Sequence, residues 1–332
     1  MSEGHYELLD FGNGRKLERF GKFILDRPSP PAVNFRKTYT SSFWQNADAV
    51  FERQSGLRGK WFFRRRIPSF WQGHFGEFSL ELKPTDVGHL GIFAEQQENW
   101  KWISACAKKC LQFRNSLRVL NLFAYTGGST LAAASCFSAF YANRVSSGNS
   151  GFSNHSEIEK SVSEYDLFPE EWREKYFVTH VDSAKNMLPW ARKNANISGM
   201  DAFPIRWIPE DALKFSKREV RRGKIYDAVI LDPPTYGHGK GTETWKIERD
   251  LPRLLELCVE LTLGNPAFFL LTAHSPDFPV ARVSECVRKY FPKYQKMESG
   301  EMFLCTKDGR KLPSGVMARL DNTVMPIHRS DK

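Results

Sequence analysis

The chain has 332 residues, of which 41% are hydrophobic and 14% aromatic, so it can fill the core of one large or two ordinary globular domains and is not expected to be disordered. Its six cysteines form no CxxC pair or regular framework, which argues against a zinc site or a secreted disulfide scaffold and favours reduced thiols in the cytoplasm. The acidic start and the lack of any apolar run of about 18 residues predict neither export nor a membrane span, and the net charge of +10 permits a polyanionic partner.

The N-terminal part predicts a small antiparallel β domain. The stretches KLERFGKFILDRP, WFFRRRIPSFW and HFGEFSLELKP alternate apolar and polar residues between glycines and prolines. In GHLGIFAEQQENWKWISACAKKC the pattern becomes helical, with Trp102, Cys106 and Cys110 at helical spacing. We therefore predict one domain over residues 1–95 and a second over 96–332.

The second domain predicts an α/β fold with a doubly wound, mostly parallel sheet. Its predicted strands LRVLNLFAY, YFVTHVD, PIRWIPED, YDAVILDPP and AFFLLTAHS alternate with helical stretches. The end, EMFLCTKDGRKLPSGVMARL, predicts a hairpin around Asp308 and Gly309 that completes the sheet antiparallel. Residues 141–177 form an insertion, serine-rich in its first half, where a short loop usually suffices, and PEEWREKY within it predicts a helical turn.

Four predicted strand ends carry chemistry. In NLFAYTGGST, Gly127 and Gly128 would let backbone amides and a helix N-terminus approach a ligand, although the motif is not the dinucleotide fingerprint G-x-G-x-x-G. Asp182, in THVDSAKN, could accept hydrogen bonds from ribose hydroxyls or cap the next helix. In WIPEDALKF, Asp211 beside Glu210 could bind an adenine amino group or act as a cap.

The fourth strand end is AVILDPPTYGHGK. Pro233 and Pro234 end the strand ladder and stiffen the backbone at Asp232, so that this acid faces the crevice beyond the sheet. A strand-ending turn with a capping aspartate is the alternative. Three acids and a glycine turn at consecutive strand ends together favour a nucleoside-carrying cofactor.

The ordered set GHLGIFAEQQENW, VLNLFAYTGGST, HVDSAKNMLPWARKNANISG, PEDALKF and YDAVILDPPTYGHG resembles class I S-adenosylmethionine-dependent methyltransferases, with a Rossmann-like sheet. It is most similar to the bacterial family of large-subunit 23S ribosomal RNA methyltransferases, from about residue 6 to 320 without the insertion. The resemblance implies S-adenosyl-L-methionine as cofactor and RNA, ribosomal above all, as partner. It implies these cofactor-binding residues: Phe123, Ala124, Tyr125, Thr126, Gly127, Gly128, Asp182, Ser183, Glu210, Asp211 and Asp232.

By the same resemblance, Asp232, Pro233, Pro234 and Tyr236 would face the methyl group and its acceptor. Such a transfer requires alignment of the attacking atom and no metal. In related amino-group methylases an aromatic ring directly follows the prolines and stacks on the base, whereas Thr235 intervenes here, so Tyr236 could point inward or away.

The related cytosine-5 enzymes carry a cysteine after the next strand, where this chain has His274 and Ser275, so we predict no cysteine-adduct mechanism. His274 could act as a base or be structural.

The acceptor is predicted to be a base of structured RNA, presented with the help of the N-terminal domain. RGKWFFRRR could be a nucleic-acid surface, or an alternating strand with its aromatic rings in the core. Arg221, with Arg218 and Arg222, could bind RNA or form a solvated helix face. Methylation of a protein or small molecule, and an RNA-binding relative without transfer activity, are the alternatives. The candidate substrate contacts are Arg64, Arg65, Arg66, Arg221 and His274.

Overall fold

The computed structural model describes residues 6–56, 58–138, 168, 170–238, 244–275, 277–294 and 297–324. The serine-rich half of the predicted insertion lies outside these residues. The chain divides into two compact units, Met1–Glu98 with Glu301–Gly315, and Asn99–Gly300 with Val316–Lys332. The sequence-based division near residue 95 did not include the contribution of residues 301–315 to the first unit.

The first unit is built mainly of β-strands. Its elements are β1 (Tyr6–Gly12), β2 (Arg15–Phe20), β3 (Phe23–Pro28), helix α1 (Ser41–Gln45), β4 (Ala49–Ser55), β5 (Arg58–Phe63), β6 (Trp71–Phe75) and β7 (Phe78–Leu82), with short 3-10 turns at Pro30–Ala32 and Ala94–Gln96. Strands β1 to β5 form one sheet in sequence order, and β6 pairs with β7 separately. Neighbouring strands are antiparallel, as predicted, except for β3 and β4, which are parallel. The connection that contains α1 carries the chain back to the end of the sheet where β3 began, so β4 runs in the same direction as β3.

Residues from the distant 301–315 segment complete the core of this unit. Leu304 and Leu312 are buried in one cluster with Leu8 and Phe11 of β1. Arg310 donates a hydrogen bond to the buried carboxylate of Asp10. Apolar burial and a buried ion pair therefore both bind this segment to β1.

The second unit contains a seven-stranded sheet. Its elements are helix α2 (Gln97–Phe113), β8 (Leu117–Leu122), α3 (Gly128–Ala134), α4 (Glu170–Lys175), β9 (Tyr176–Val181), α5 (Met187–Ile197), β10 (Ile205–Ile208), α6 (Ala212–Arg221), β11 (Ala228–Leu231), β12 (Tyr236–His238), β13 (Thr244–Lys246), α7 (Ile247–Leu261), β14 (Phe268–Ala273), α8 (Val280–Tyr290), β15 (Met297–Cys305) and β16 (Lys311–Asp321). The predicted helical turn in PEEWREKY is confirmed as α4.

The strand order is β10-β9-β8-β11-β14-β16-β15. The first five strands of this order are parallel, and β16 runs antiparallel to β14. The predicted doubly wound sheet with an antiparallel C-terminal hairpin is therefore confirmed. Chain order reverses between β8 and β11, which is the switch point where ligands bind in open α/β sheets.

Helices cover both faces of the sheet, as its continuous apolar strands require. On one face, core residues of β8, β11 and β14 pack in a single cluster with residues of α6, α7 and α8. On the other, Trp102 of α2 contacts Phe268 of β14 edge-on, and Asn121 of β8 donates to Thr130 of α3. In the part of the chain that the structure describes, no helix is both long and apolar enough to cross a membrane.

Candidate cofactor and active site

The carboxyl ends of β10, β9, β8, β11 and β14 lie at one edge of the sheet, because these strands are parallel neighbours. Asp182 follows β9, Glu210 follows β10 and Asp232 follows β11. The glycine turn follows β8. The fold thus brings all four predicted strand-end motifs to one edge.

The glycine turn after β8 has an unusual backbone. Phe123 and Tyr125 have positive φ angles of 59° and 51°, which are unfavourable for bulky residues, and Gly127 has φ 95°. The amide of Ala124 donates to the Val181 carbonyl at 3.1 Å, which ties the turn to the end of β9. Strain of this kind persists where surrounding contacts impose it, and it is concentrated at ligand sites.

Asp182 is the acid nearest to this turn. Its Oδ2 accepts a hydrogen bond from the Tyr125 amide at 2.8 Å, and its Oδ1 accepts from the Ala184 amide at 2.8 Å. Burial raises the pKa of Asp182, while both hydrogen bonds act in the opposite direction. The neighbouring Ser183 is exposed. Each carboxylate oxygen has two lone pairs, so this oriented carboxylate can also accept hydroxyl donors.

A buried polar network lies behind the turn, and sequence reasoning did not identify it. Asn121 Nδ2 donates to Thr130 Oγ1 at 2.9 Å, and Thr130 Oγ1 lies 2.9 Å from His180 Nδ1. Burial lowers the pKa of His180 to about 3, only partly opposed by a hydrogen bond with the Tyr125 backbone, so the ring is neutral at pH 7. The available signal was Asn121 and His180, polar residues near the ends of two largely apolar strands.

Gly128, the first residue of α3, is required by close packing. A Cβ atom built there would lie 2.6 Å from the ring of Trp100 in α2. The fully buried residues after it, Thr130 to Ala134, hold α3 against the sheet. The second glycine therefore allows α2 to approach the start of α3.

The acids after β10 have partners within the protein. Asp211 is the N-cap of α6, with its Oδ1 accepting from the Lys214 amide at 3.0 Å, which is the capping alternative that the sequence left open. Glu210 forms an ion pair with Arg218 of α6. Both carboxylates are thereby fixed at the sheet edge.

The carboxylate of Asp232 is held by two residues from the end of β14. Thr272 Oγ1 donates to Asp232 Oδ1 at 2.5 Å, and His274 Nε2 lies 3.1 Å from the same oxygen. Both Asp232 and His274 keep part of their side-chain surface accessible to solvent. Sequence reasoning identified the acid and the histidine, but not Thr272.

The diproline corner is braced by the antiparallel strand pair β12 and β13. The indole Nε1 of Trp245 in β13 donates to the Pro234 carbonyl at 2.7 Å, and the same ring contacts Phe123 edge-on at 4.8 Å. Tyr236 begins β12, which pairs with β13, and is 68% exposed. The carbonyl of Pro234 is thus engaged by Trp245, and the ring of Tyr236 lies largely in solvent.

The predicted substrate contacts are distributed over both units. Arg64, Arg65 and Arg66 directly follow β5 and are exposed, whereas Arg221 is exposed at the end of α6. The other two arginines of the predicted helix face are ion-paired, Arg218 with Glu210 and Arg222 with Glu219.

All six cysteines are free thiols and lie within the described residues. Cys258 is buried in α7 and Cys286 half-buried in α8, and burial raises the pKa of both thiols. Neither belongs to a loop that follows a parallel strand. Among the residues that the structure describes, no group of three or more histidine, cysteine, aspartate or glutamate side chains is arranged to hold a metal ion.

Comparison with known proteins gives the class. No family model matches the chain. The crystal structure of the SAM-dependent methyltransferase from Agrobacterium tumefaciens is 30% identical, covers 96% of this chain and 91% of its own, and superposes with a TM-score of 0.78. SMU.776, a candidate methyltransferase solved in complex with SAH, is 16% identical over 96% of this chain and 76% of its own, with a TM-score of 0.65. At that identity its likeness concerns the fold alone.

Curated relatives cover a smaller part of the sequence. Ribosomal RNA large subunit methyltransferase K/L of Shewanella frigidimarina is 23% identical over 192 residues, 57% of this chain and 20% of that protein. Ribosomal RNA large subunit methyltransferase I of Aeromonas salmonicida is 24% identical over 154 residues, 46% of this chain and 28% of that protein. The chain therefore spans less than a third of the length of either relative.

A parallel sheet with acids at neighbouring strand ends is the arrangement found in nucleoside-binding α/β proteins, and the likeness to the Agrobacterium structure gives the class. The chain belongs to the S-adenosylmethionine-dependent methyltransferases, and S-adenosylmethionine is its cofactor. The site chemistry fits this molecule. Asp182 is an oriented acceptor suited to ribose hydroxyls, and the turn after β8 that bonds to it has the strained backbone typical of ligand sites.

Proposed function

We propose that this methyltransferase modifies a base of ribosomal or other structured RNA in the cytoplasm. The observation that carries the proposal is the Asp232 corner, where an acid beside two prolines is held by Thr272 and His274 at the switch point of the sheet. The curated relatives are named as ribosomal RNA methyltransferases, which supports RNA as the acceptor here. The six free thiols fit a reducing compartment.

The cofactor would lie across the strand ends. Residues 123–128 would surround its methionine part, Asp182 with Ser183 its ribose, and Glu210 with Asp211 the adenine side. The hydrogen bonds to Asp182 and the ion pair of Glu210 support this assignment, because they fix both carboxylates before a ligand arrives. Such fixed acceptors lose little conformational freedom on binding.

Bound S-adenosylmethionine supplies an electrophilic methyl carbon on a sulfonium. The protein then needs to align the attacking atom, exclude water and receive a proton. Asp232, oriented by Thr272, would accept a hydrogen bond from an N–H of the base, and His274 would stabilise the carboxylate or take up the proton. The exposed ring of Tyr236 would stack on the base, and the diproline backbone would keep the corner rigid.

We also propose that no covalent cysteine adduct forms. The thiols of Cys258 and Cys286 are on helices, and burial raises the pKa of each, which disfavours the nucleophilic thiolate. A mechanism-based cytosine analogue in RNA should therefore leave the protein unmodified. A covalent complex through either residue would contradict this.

The direct test is transfer of tritium from labelled S-adenosylmethionine. Total RNA, total protein and a small-molecule extract from cells that lack the enzyme are offered separately, and label is expected in RNA alone. Label in protein or in a small-molecule fraction would overturn the RNA proposal.

A matched pair of variants tests the corner. Thr272→Val removes the donor to Asp232 and should lower the transfer rate at saturating cofactor and RNA by about tenfold, in line with the loss of one hydrogen bond to a charged group. Thr262→Val removes a comparable buried hydroxyl that donates to Cys258 O at 2.7 Å in α7, and should leave the rate unchanged. Equal rates in the two variants would exclude a positioning role for Thr272.

A further inference from the structure

Strand β5 exposes aromatic rings that ordinary folding would bury. It is an edge strand of the five-stranded sheet, with β4 as its neighbour. Phe62 and Phe63 are 45% and 52% exposed, and Phe70, in the segment that follows, is 52% exposed. Of the two interpretations that the sequence left open for RGKWFFRRR, the one with its aromatic rings in the core does not hold for the two phenylalanines of β5. A cluster of exposed rings of this kind is typical of an interaction surface.

The exposed rings belong to an ordered arrangement. On one face of β5, the half-buried Trp61 contacts the buried Phe51 with ring centroids 5.2 Å apart, and stacks on Phe63 at 6.2 Å with an interplanar angle of 22°. The indole of Trp61 donates to the Thr85 carbonyl at 2.8 Å, which fixes its plane. Rings therefore continue from the core to the surface, and Phe63 is the outermost. Phe62 points to the opposite face, since strand side chains alternate.

The same segment is strongly basic. Arg58, Lys60 and Arg64–Arg66 are cations, and the sequence has no carboxylate between Arg58 and Glu77. Arg65 is 3.3 Å from the buried Asp48, and Arg58 is 3.9 Å from the exposed Asp86. For Lys60 and Arg66, the described residues provide no ion pair. The Lys60 ammonium lies 5.8 Å from the Phe62 ring centroid, so charge and aromatic surface occur together.

This combination favours one kind of occupant. Charged residues on edge strands normally prevent pairing with a second copy, and two copies of β5 would bring like charges together. Exposed phenylalanines serve no such protective purpose. A polyanion whose flat apolar groups are accessible satisfies both features, and unpaired RNA has phosphates for the cations and bases for the rings.

We propose that β5 and the segment that follows it, residues 58–70, form a surface that binds an unpaired stretch of RNA. Because Phe63 and Phe62 lie on opposite faces of an edge strand, the RNA crosses the free edge of β5. One base stacks on Phe63, another stacks on Phe62 with its phosphate near Lys60, and Phe70 and Arg66 contact neighbouring nucleotides. This inference rests on the proposed function, since it assigns the RNA acceptor a binding surface in the first unit. It further specifies that the bound stretch is single-stranded.

Binding of labelled oligonucleotides to the full-length protein tests the surface. The probes are an oligouridylate of about 12 nucleotides, within the usual site size for single strands, and a blunt RNA duplex of the same length. Fluorescence anisotropy should show tighter binding of the single strand. Phe63→Ala should weaken that binding by about tenfold, the effect expected for loss of one stacked base.

Control variants separate this surface from general effects. Phe113→Ala removes a ring that is 59% exposed at the end of α2 and should bind oligouridylate as the wild type does. Arg66→Ala should reduce the slope of log affinity against log salt by about 0.7, the value for one phosphate contact on a single strand. Arg288→Ala, an exposed cation of α8, should leave the slope unchanged.

A crosslinking experiment on the wild type avoids dependence on any variant that folds poorly. Ultraviolet irradiation with oligouridylate should attach uridine to the peptide that contains Phe62 and Phe63. Wild-type affinity in Phe63→Ala, or crosslinks confined to other peptides, would overturn the inference.

Methyl transfer is scored separately in these experiments. If RNA is methylated but Phe63→Ala binds normally, the surface is wrong and the proposed function stands. If RNA is not methylated while Phe63→Ala loses oligouridylate binding, the surface stands and the proposed acceptor is wrong.

Discussion

Asp182 shows how one residue is prepared for a ligand. Burial disfavours its charged form and raises its pKa, while amide donors from Tyr125 and Ala184 support the carboxylate, one on each oxygen. The two bonds fix the plane of the group. A ribose with two hydroxyls would therefore meet an acceptor whose orientation is already set.

Asp182→Asn should weaken S-adenosylmethionine binding by about 10- to 100-fold. The amide keeps one oxygen acceptor but turns its NH₂ group toward either the Tyr125 or the Ala184 amide, where two donors would face each other. A lost hydrogen bond to a charged group corresponds to about 1.5–3 kcal/mol. Isothermal titration calorimetry measures the change directly.

Asp201→Asn is the matched control for this prediction. Asp201 is exposed and lies before β10, at the amino end of that strand, so its substitution should leave the affinity unchanged.

The affinity for S-adenosylmethionine should also depend on pH. Because burial raises the pKa of Asp182, the wild-type affinity should fall as the pH is lowered and this carboxylate becomes protonated. Asp182→Asn should lack this dependence, and an unaltered affinity or pH profile would contradict the assignment.

At the scale of elements, the residues at the strand ends could be predicted from the sequence, but the residues that hydrogen-bond to them could not. The apolar run before Asp232, the two prolines and the glycine turn are local signals, so sequence reasoning found β8, β9, β11 and their terminal residues. Thr272, in contrast, is 40 positions from Asp232 in the sequence, and its hydroxyl meets that acid only because β14 lies beside β11. Likewise, nothing local indicates that Trp245 donates to Pro234.

Gly128→Ala tests the packing of α3 against α2. A Cβ atom would be 2.6 Å from the Trp100 ring, so the helix or the indole must move, and overpacking of this kind costs about 1–3 kcal/mol. The start of α3 adjoins the glycine turn, so cofactor affinity should fall together with the thermal midpoint. Differential scanning fluorimetry with and without S-adenosylmethionine measures both effects.

Gly199→Ala separates steric conflict from backbone strain. Gly199 follows α5 with a φ angle of 66°, and no atom lies within 4 Å of a Cβ built there. Its substitution should cost about 1–2 kcal/mol through left-handed strain alone, without a specific effect on the cofactor. A Gly128→Ala protein with wild-type affinity would show that α2 does not restrict the turn.

At the scale of the whole molecule, the two compact units are not two consecutive pieces of sequence. The chain leaves the first unit after Glu98 and contributes to it again with Glu301–Gly315. Leu304 and Leu312 fill the core beside β1, and Arg310 reaches Asp10. A boundary placed near residue 95, where the pattern becomes helical, could not reveal this return, because hydrophobic periodicity does not identify which core a distant strand joins.

The Asp10 carboxylate gives this return a measurable dependence on pH. It accepts hydrogen bonds from the Tyr39 amide, the Trp44 indole, Arg310 and Thr38. Burial alone would raise its pKa, but these donors outweigh burial and lower the pKa below its ordinary value of 3.8. The charged Asp10 therefore contributes its full stabilisation of the folded state above pH 3.8, and this contribution is lost as the pH falls through the lowered pKa.

Asp10→Asn should destabilise the protein by about 3 kcal/mol near neutral pH, since it leaves Arg310 without its buried partner. Urea unfolding at a series of pH values should show the difference from the wild type narrowing below pH 3.8, where the unfolded chain takes up a proton at residue 10 that the native carboxylate, with its lowered pKa, does not yet bind. Asp86→Asn, which alters an exposed acid of the same unit, should show almost no difference at any pH. A constant difference for Asp10→Asn across this range would mean that lost packing, and not the charge of Asp10, explains the destabilisation.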